Sequence, residues 1–550
     1  MIFGSIDNLF NFNESIVSGK DMVYGGWVAG ESFYQALLEY GKFDEYHFFV
    51  DPSSISLCQK RLSQFPCSSG KVKFIKRTAL PSYINKIKYN IFFSSSPNLA
   101  ELAYLRSQYA NTYFPICALT HSISYRDMLE HFFFSNMIAN LYSFDSLICT
   151  STAQLEAIKN INRSVIDSFR KEKGWVLKFG GRLDLLPLGV DIRAYGKTDV
   201  AHAREDLDLP KEKIIILYFG RFSIYDKMDL HPLLLAFKRV LRERGDIMLL
   251  FCGRDGQGKY GNKIKKMSEE MGLSPDVKFY LNPSLDEKKL FYSASDIFIS
   301  PSDSIQESFG LTVLEAMASG MPVIASDWNG YRDLVVHNET GFLIPTYWAD
   351  CNDAYLLSPI HQNWETDHMH LAQSVVVDVK KMSDYLSLLI KDKELRLKFG
   401  RNARNRIARA FDWQVLIPKY ENLWKELFEL SQHSTFKKNR TEIFVPKYFE
   451  CFGHYPTQTL TGSMKVTISE DGRIFLRTRK LPYVPGELYE RISLTTVLIL
   501  LAFLLDEEFT TIDRLVSHGK KILKNVSSDI VMFHILWLSK KGFIVFHPDS

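Results

Sequence analysis

The chain has 550 residues, too many for one ordinary hydrophobic core, and the usual size of a domain divides it into about three to four units. Its 67 lysines and arginines against 63 aspartates and glutamates leave a formal charge of +4, which excludes the dense basic surplus of a dedicated nucleic-acid binder. Seven scattered cysteines, odd in number and without the close pairs of a zinc site, make a reducing cytoplasm the simplest compartment.

The first residues, MIFGSIDNLFNF, lack a basic segment followed by a long apolar core, so no secretory signal is expected. Up to about residue 195, β-type runs (EYHFFV, KVKFI, YNIFFSS, YFPICALTH, SLICTS, LDLLPLGVD) alternate with longer helical patterns, the signature of βαβ units and a parallel sheet. Between Pro52 and Ala100, Lys60, Arg61, Lys71, Lys73, Lys76, Arg77, Lys86 and Lys88 occur with no acidic residue. A solvated face and a surface for an anionic acceptor or lipid headgroups are equal readings of that run, so peripheral contact with the inner face of a membrane stays open.

A second cycle starts near residue 196, with strand candidates KIIILYFGRF, DIMLLFCGR, VKFYLNP, DIFISPS and MPVIASDW. Two Rossmann-like halves, residues 1–195 and 196–414, would face each other across a cleft at the carboxyl ends of their strands. The helical pattern to Leu430 contains Pro418, which should kink or break it, and residues 415–430 should return to the first half. Residues 440–550 form a third unit: MKVTISEDGRIFLRTR reads as two β-runs around an Asp-Gly turn, followed by three helical patterns and a last strand, FIVFHP. The first of those helices, LTTVLILLAFLL, is too short to span a bilayer and reads as buried.

The segment QESFGLTVLEAMASGMPVIAS, residues 306–326, carries Glu307 and Glu315 eight positions apart. On a helix starting at Glu307 the second carboxylate would sit about 12 Å along the axis and turned by about 80°. That is too far for two groups working on one glycosidic bond, where about 5 to 9.5 Å is expected, and suits two contacts on one elongated ligand. Between them Ser308, Phe309, Gly310 and Leu311 would open the helix, where free N–H groups and the dipole favour a phosphate. Arg221 and Lys227 follow the strand KIIILYFG, whose last residue is Gly220, and fit a diphosphate that gains charge as it leaves. In the first half, Gly25 and Gly26 lie in an early loop that lets a backbone come close. His121 follows YFPICALT and faces the same cleft.

These segments, with TGFLIP and LPLGVD, resemble the retaining glycosyltransferases of family 4 over roughly residues 15–430; such enzymes have the two-Rossmann GT-B fold. The resemblance implies that the first half binds acceptor and the second half donor. It implies that Arg221 and Lys227 hold the donor diphosphate, that Glu315 binds ribose, and that Glu307 and His121 sit by the donor sugar. Gly220 and the amides near Phe309, Gly310 and Leu311 would complete the donor site. It further implies transfer from a nucleoside-diphosphate sugar, UDP-sugar above all, with no metal and no resident cofactor, and retention by front-face attack. Met228 stands where such enzymes commonly have Gly after the Lys, which puts the loop path at issue. His361, His368 and His370 invite a metal reading that neither helical spacing nor a nearby cysteine supports.

The acceptor could be a glycan, a lipid-linked intermediate or a peptide. A nucleotide-sugar epimerase and a non-catalytic sugar-nucleotide-binding scaffold are the alternatives. The third unit has the element order of a winged helix, with Lys520, Lys521, Lys524, Lys540 and Lys541 too few for a DNA-binding face. It resembles the winged helices that bind a precursor peptide's leader as an added strand, against the plainer reading of a structural or oligomerisation module.

Overall fold

Apolar on both faces, the β-type runs of the first half pair into one seven-stranded parallel sheet in the computed structural model of the chain. The structure describes all residues except 8–24, 64–70, 126–127, 129–132, 197–198, 257–258, 351–363, 436–446, 481–490, 508, 524–525 and 548–550. The strands are β1 (Ile2–Ser5), β2 (Glu45–Val50), β3 (Val72–Lys76), β4 (Ile91–Ser94), β5 (Ile116–Leu119), β6 (Ser146–Cys149) and β7 (Arg182–Leu185), in the order β3-β2-β1-β4-β5-β6-β7. A second parallel sheet holds β8 (Ile214–Phe219), β9 (Ile247–Gly253), β10 (Val277–Leu281), β11 (Ile297–Ser300), β12 (Val323–Ser326) and β13 (Gly341–Ile344), in the order β10-β9-β8-β11-β12-β13. Strand order reverses between β1 and β4 and between β8 and β11, and open α/β sheets bind ligands outside the carboxyl ends of strands at such points. The fold is two Rossmann-like α/β domains.

Pro418 does not break its helix. The helix runs from Trp413 to Gln432 through the proline, and the helical pattern is interrupted earlier, between Ala410 and Trp413, where Asp412 caps the new helix by accepting from the Gln414 N–H. Packing holds the helix where one backbone bond is missing: Trp424 lies among Phe3, Phe33 and Phe93, and the Trp413 indole N–H donates to Ser32. The basic run of the first half is partly neutralised, Lys73 by Glu45 at 2.8 Å and Arg77 by Asp51 at 3.8 Å.

Residues Met1–Thr441 form one compact unit and Glu442–Ser550 a second. In the second, the expected Asp-Gly hairpin is absent. Residues Lys465–Ile468 form a strand, but Glu470–Thr478 form a helix capped by Ser469, whose side chain accepts from the Gly472 N–H. Gly472 serves close approach, since a Cβ there would lie 2.2 Å from the Phe543 carbonyl oxygen. Helices Leu494–Asp506, Ile512–Ile522 and Ser528–Lys540 follow, and a three-stranded antiparallel sheet is completed by Thr510–Thr511 and Ile544–His547 on either side of Lys465–Ile468. Leu494–Asp506 buries Val497, Leu500, Leu501 and Leu504 against this sheet's own core. Among the described residues no helix is long and apolar enough to cross a membrane.

Candidate active site

The helix of the Glu307 segment begins later than its apolar pattern suggests. Helix α1 (Leu311–Ala318) opens after Gly310, whose φ of 107° and ψ of 58° suit glycine; a Cβ there would lie 2.5 Å from the Tyr331 ring. Glu307 therefore lies in the loop between β11 and α1, while Glu315 lies within α1, and the spacing expected for one continuous helix does not apply.

Each carboxylate has its own set of donors. Glu307, 8% exposed, accepts at Oε2 from Lys227 Nζ at 3.2 Å and from the Tyr331 hydroxyl at 3.4 Å. Glu315 accepts at Oε1 from the Tyr195 hydroxyl at 2.9 Å and Lys288 Nζ at 2.6 Å, and at Oε2 from the Tyr292 hydroxyl at 2.9 Å. Burial, and then the Glu315 charge, push both phenols well above the usual tyrosine range, so they stay protonated donors.

The two cations stand on the loop after β8. Gly220 and Gly253 meet backbone to backbone there: a Cβ on Gly253 would lie 1.7 Å from the Gly220 carbonyl oxygen. Arg221 donates to Asp226 at 2.6 Å, and the Ser302 hydroxyl holds the Lys227 carbonyl at 3.1 Å. Met228 needs no glycine-like backbone; its side chain is buried with Phe222 and Leu230, and its N–H bonds to the Ser223 carbonyl at 3.1 Å. Asp303 steadies the end of the loop by accepting the Asp229 N–H on both oxygens, at 3.3 and 3.2 Å. Burial, helped by the charge of Asp229 and opposed by that N–H, pushes the Asp303 carboxyl up to about 8.

On the facing half, Gly25 and Gly26 are the first residues of a helix, Gly25–Tyr40, and do not lie in a loop. Gly26 lies against His121, where a Cβ would sit 3.5 Å from the imidazole. The Gln154 side-chain amide holds the His121 carbonyl at 2.7 Å, while His121 Nε2 is buried without a hydrogen-bond partner. Burial pushes this imidazole down to about 4, against a weaker opposing bond to the Ser95 main chain. It is therefore a neutral ring at pH 7 with one unused polar atom.

The halves meet beside this histidine. Gln306 bonds to both Ser122 and Ser124, and the Ser151 hydroxyl donates to the Ser308 carbonyl at 2.9 Å. The structure thus joins Lys227 to Glu307 directly and brings the His121 and Glu307 loops together, whereas Arg221 pairs with Asp226 and Glu315 keeps a separate cluster. Phe309 is buried, and Leu311 starts the helix whose leading N–H groups have no intrahelical partner. Sequence reasoning missed Tyr195, Lys288, Tyr292, Tyr331, Asp226 and Asp303. Lys288 and Tyr292, spaced i, i+4 in a helix with a Ser284/Glu287 capping box, carried a readable sign that they share one face. Among the described residues no group of three or more His, Cys, Asp or Glu could hold a metal ion. His361 lies outside the described residues, and His368 Nε2 is 3.2 Å from the Ser124 carbonyl.

Residues 199–369 match the family described as Glycosyl transferases group 1. The chain is 32% identical over 213 residues to a D-inositol 3-phosphate glycosyltransferase of Nocardia farcinica, covering 36% of this chain and 46% of that protein. It is 25% identical over 253 residues to a lipopolysaccharide 1,2-N-acetylglucosaminetransferase of Salmonella typhimurium, covering 45% of this chain and 57% of that protein. The chain thus spans about half the length of these curated relatives. Among solved structures, HepE of Anabaena in complex with UDP-glucose superposes with a TM-score of 0.52 at 14% identity, covering 79% of this chain and all of that one. A sucrose-phosphate synthase from Thermosynechococcus elongatus gives 0.50 at 19% identity, covering 78% of this chain and all of that one. The two Rossmann-like domains are therefore arranged as a GT-B fold.

Proposed function

We propose that the chain is a retaining glycosyltransferase of family 4 that transfers a sugar from a nucleoside-diphosphate sugar, UDP-sugar above all, to a hydroxyl of a glycan, lipid-linked or peptide acceptor. The observation that carries this reading is the Lys227–Glu307 pair at the switch point of the second sheet, with Arg221 on the same loop and the start of α1 close in sequence. The donor diphosphate takes Arg221, Lys227 and the α1 amides as partners, and Lys227 exchanges Glu307 for phosphate. Glu307 is then free to accept from the sugar hydroxyls, and Glu315 from the ribose. His121, neutral, offers Nε2 to a sugar hydroxyl. The anomeric C–O bond to phosphate breaks while the acceptor oxygen bonds on the same face, and its proton passes to the departing phosphate oxygen. No carboxylate attacks; both glutamates act as hydrogen-bond acceptors that hold the donor. The free cysteines Cys58, Cys117, Cys149, Cys252 and Cys451 support a cytoplasmic location for the protein.

For residues 440–550 the readings are a structural or oligomerisation module and a winged-helix-like module that recruits a peptide, and a chain ending at Arg440 separates them: loss of solubility or of donor binding marks the first. Under the second, the truncated chain loses transfer to that peptide at low but not high concentration, because tethering changes effective concentration only, and equal acceptor efficiency with and without the tail defeats it. The transferase reading is tested by incubating the protein with nucleotide-sugars and candidate acceptors and following products by mass spectrometry. Transfer with free diphosphate supports it, isomerised donor without acceptor marks an epimerase, and bound but unchanged donor marks a scaffold.

A further inference from the structure

Helix Ser528–Lys540 of the second unit reads SDIVMFHILWLSK, apolar on both sides, a pattern that ordinarily belongs to a helix covered all round. Only one side is covered. Val531, His534, Ile535, Trp537 and Leu538 are buried toward the unit's own core, whereas Ile530, Phe533 and Leu536 are 49%, 42% and 46% exposed. The roll of the helix is fixed: the Ser493 N–H donates to His534 Nε2 at 2.9 Å, so the ring carries its proton on Nδ1, which donates to the Ile530 carbonyl at 2.7 Å. Turning the exposed side chains inward would break the first of these bonds. Apolar side chains exposed singly are ordinary, but three in succession along one helix face make a continuous stripe.

The two ends of the stripe point to what covers it. Asp529 and Lys540, both exposed, are separated by about three turns and about 16 Å of helix, so they bracket the apolar side chains on the same face. The midpoint between Asp529 and Lys540 in the sequence is also the midpoint between Phe533 and Leu536. The stripe is therefore its own complement. A second copy turned by a two-fold axis through that point lays lysine on aspartate at both ends and Phe533 on Leu536 twice. An acidic first turn and a basic last turn also suit the helix dipole, which accounts for the charges but not for the bare apolar side chains between them.

Resting on the oligomerisation reading of residues 440–550, we infer that this face is an isologous interface between two copies of the chain, with their Ser528–Lys540 helices antiparallel across the axis. Three half-exposed apolar side chains per copy, with the polar groups that flank them, cover about 1,000 Å² in the pair, the lower end for a specific interface, so the dimer dissociates in the micromolar range.

The test is sedimentation velocity of the full chain between about 1 and 100 μM, where a micromolar dimer passes from mostly dissociated to mostly paired. Asp529→Lys and Lys540→Asp each set like charges against one another across the axis, and each should weaken the dimer several-fold. Mixed in equal amounts, the two variants bring the lysines of one copy onto the aspartates of the other and should pair as tightly as the parent. Phe533→Ser removes the centre of the stripe and should stay monomeric over the whole range, with the helical dichroism of the parent. A parent that remains monomeric throughout overturns both the interface and the oligomerisation reading. A parent dimer that all three variants leave intact, or charge variants that fail to pair when mixed, overturns this interface and leaves that reading standing. A monomeric parent whose Phe533→Ser variant loses transfer to a peptide acceptor overturns it in favour of a peptide on the same face.

Discussion

Replacing Glu315 by Gln keeps the shape of the side chain and removes the charge that three donors converge on. Tyr195, Lys288 and Tyr292 come from two separate elements, so this carboxylate ties a turn and a helix to α1. Breaking a buried ion pair by removing one partner costs about 3–5 kcal/mol. The Lys288 side chain is 17% exposed against 8% for Glu315, so the stranded ammonium can partly reach water, which sets the loss near the lower end, about 3 kcal/mol. The amide also turns an NH₂ toward groups that were all donors, so at least one phenol loses its acceptor. If Glu315 binds the ribose, losing a charge-assisted bond of about 1.5–3 kcal/mol should raise the Kd for UDP roughly ten- to a hundredfold. Chemical denaturation measures the first effect and calorimetric titration of UDP the second. A Glu315→Gln protein within about 0.5 kcal/mol of the parent, binding UDP equally well, would refute the reasoning.

Three further outcomes separate the roles of neighbouring groups. Glu307→Gln should spare UDP affinity and depress transfer, because Glu307 is assigned to the sugar; calorimetry beside initial rates checks it. The His121 imidazole is pushed down to about 4 in the fold, so the unfolded chain takes up its proton first, and stability should fall as pH drops from about 6.5 toward 4. His121→Gln should remove that part of the slope in denaturation curves. Asp303 has the opposite sign: its carboxyl is pushed up to about 8, so the fold holds a proton that the unfolded chain has lost. Stability should decline as pH rises from about 4 to about 8 and then level off, and Asp303→Asn should flatten the decline.

Much of the two Rossmann-like halves was legible because their strands are continuous apolar runs and the candidate site residues sit in short segments tied to strand ends. Glu307, Lys227 and His121 belong to that class: each follows a strand, and topology brings strand ends together. What stayed hidden came from far along the chain. Nothing local to Glu315 announces Tyr195, 120 residues away, and the position of Asp303 beneath the Lys227 loop depends on tertiary packing. Three local rules were overridden by packing or capping. Asp471-Gly472 reads as a hairpin turn until Ser469 caps a helix there and the Phe543 carbonyl occupies the space of a Cβ. Pro418 reads as a breaker until its helix is buried against the first sheet's aromatic core. The apolar spacing that reads as a helix from Glu307 is interrupted by the left-handed Gly310.

The central claim is that Arg221 and Lys227 receive the diphosphate of a nucleotide-sugar during transfer. It is tested most directly by measuring release of UDP and appearance of glycosylated acceptor from UDP-sugars, in the parent protein and in folded Arg221→Ala and Lys227→Ala variants. The account predicts stoichiometric UDP and product in the parent and a loss of at least about a hundredfold in each variant, the scale for removing charge stabilisation from a transition state. Turnover within a few-fold of the parent in both variants would contradict it.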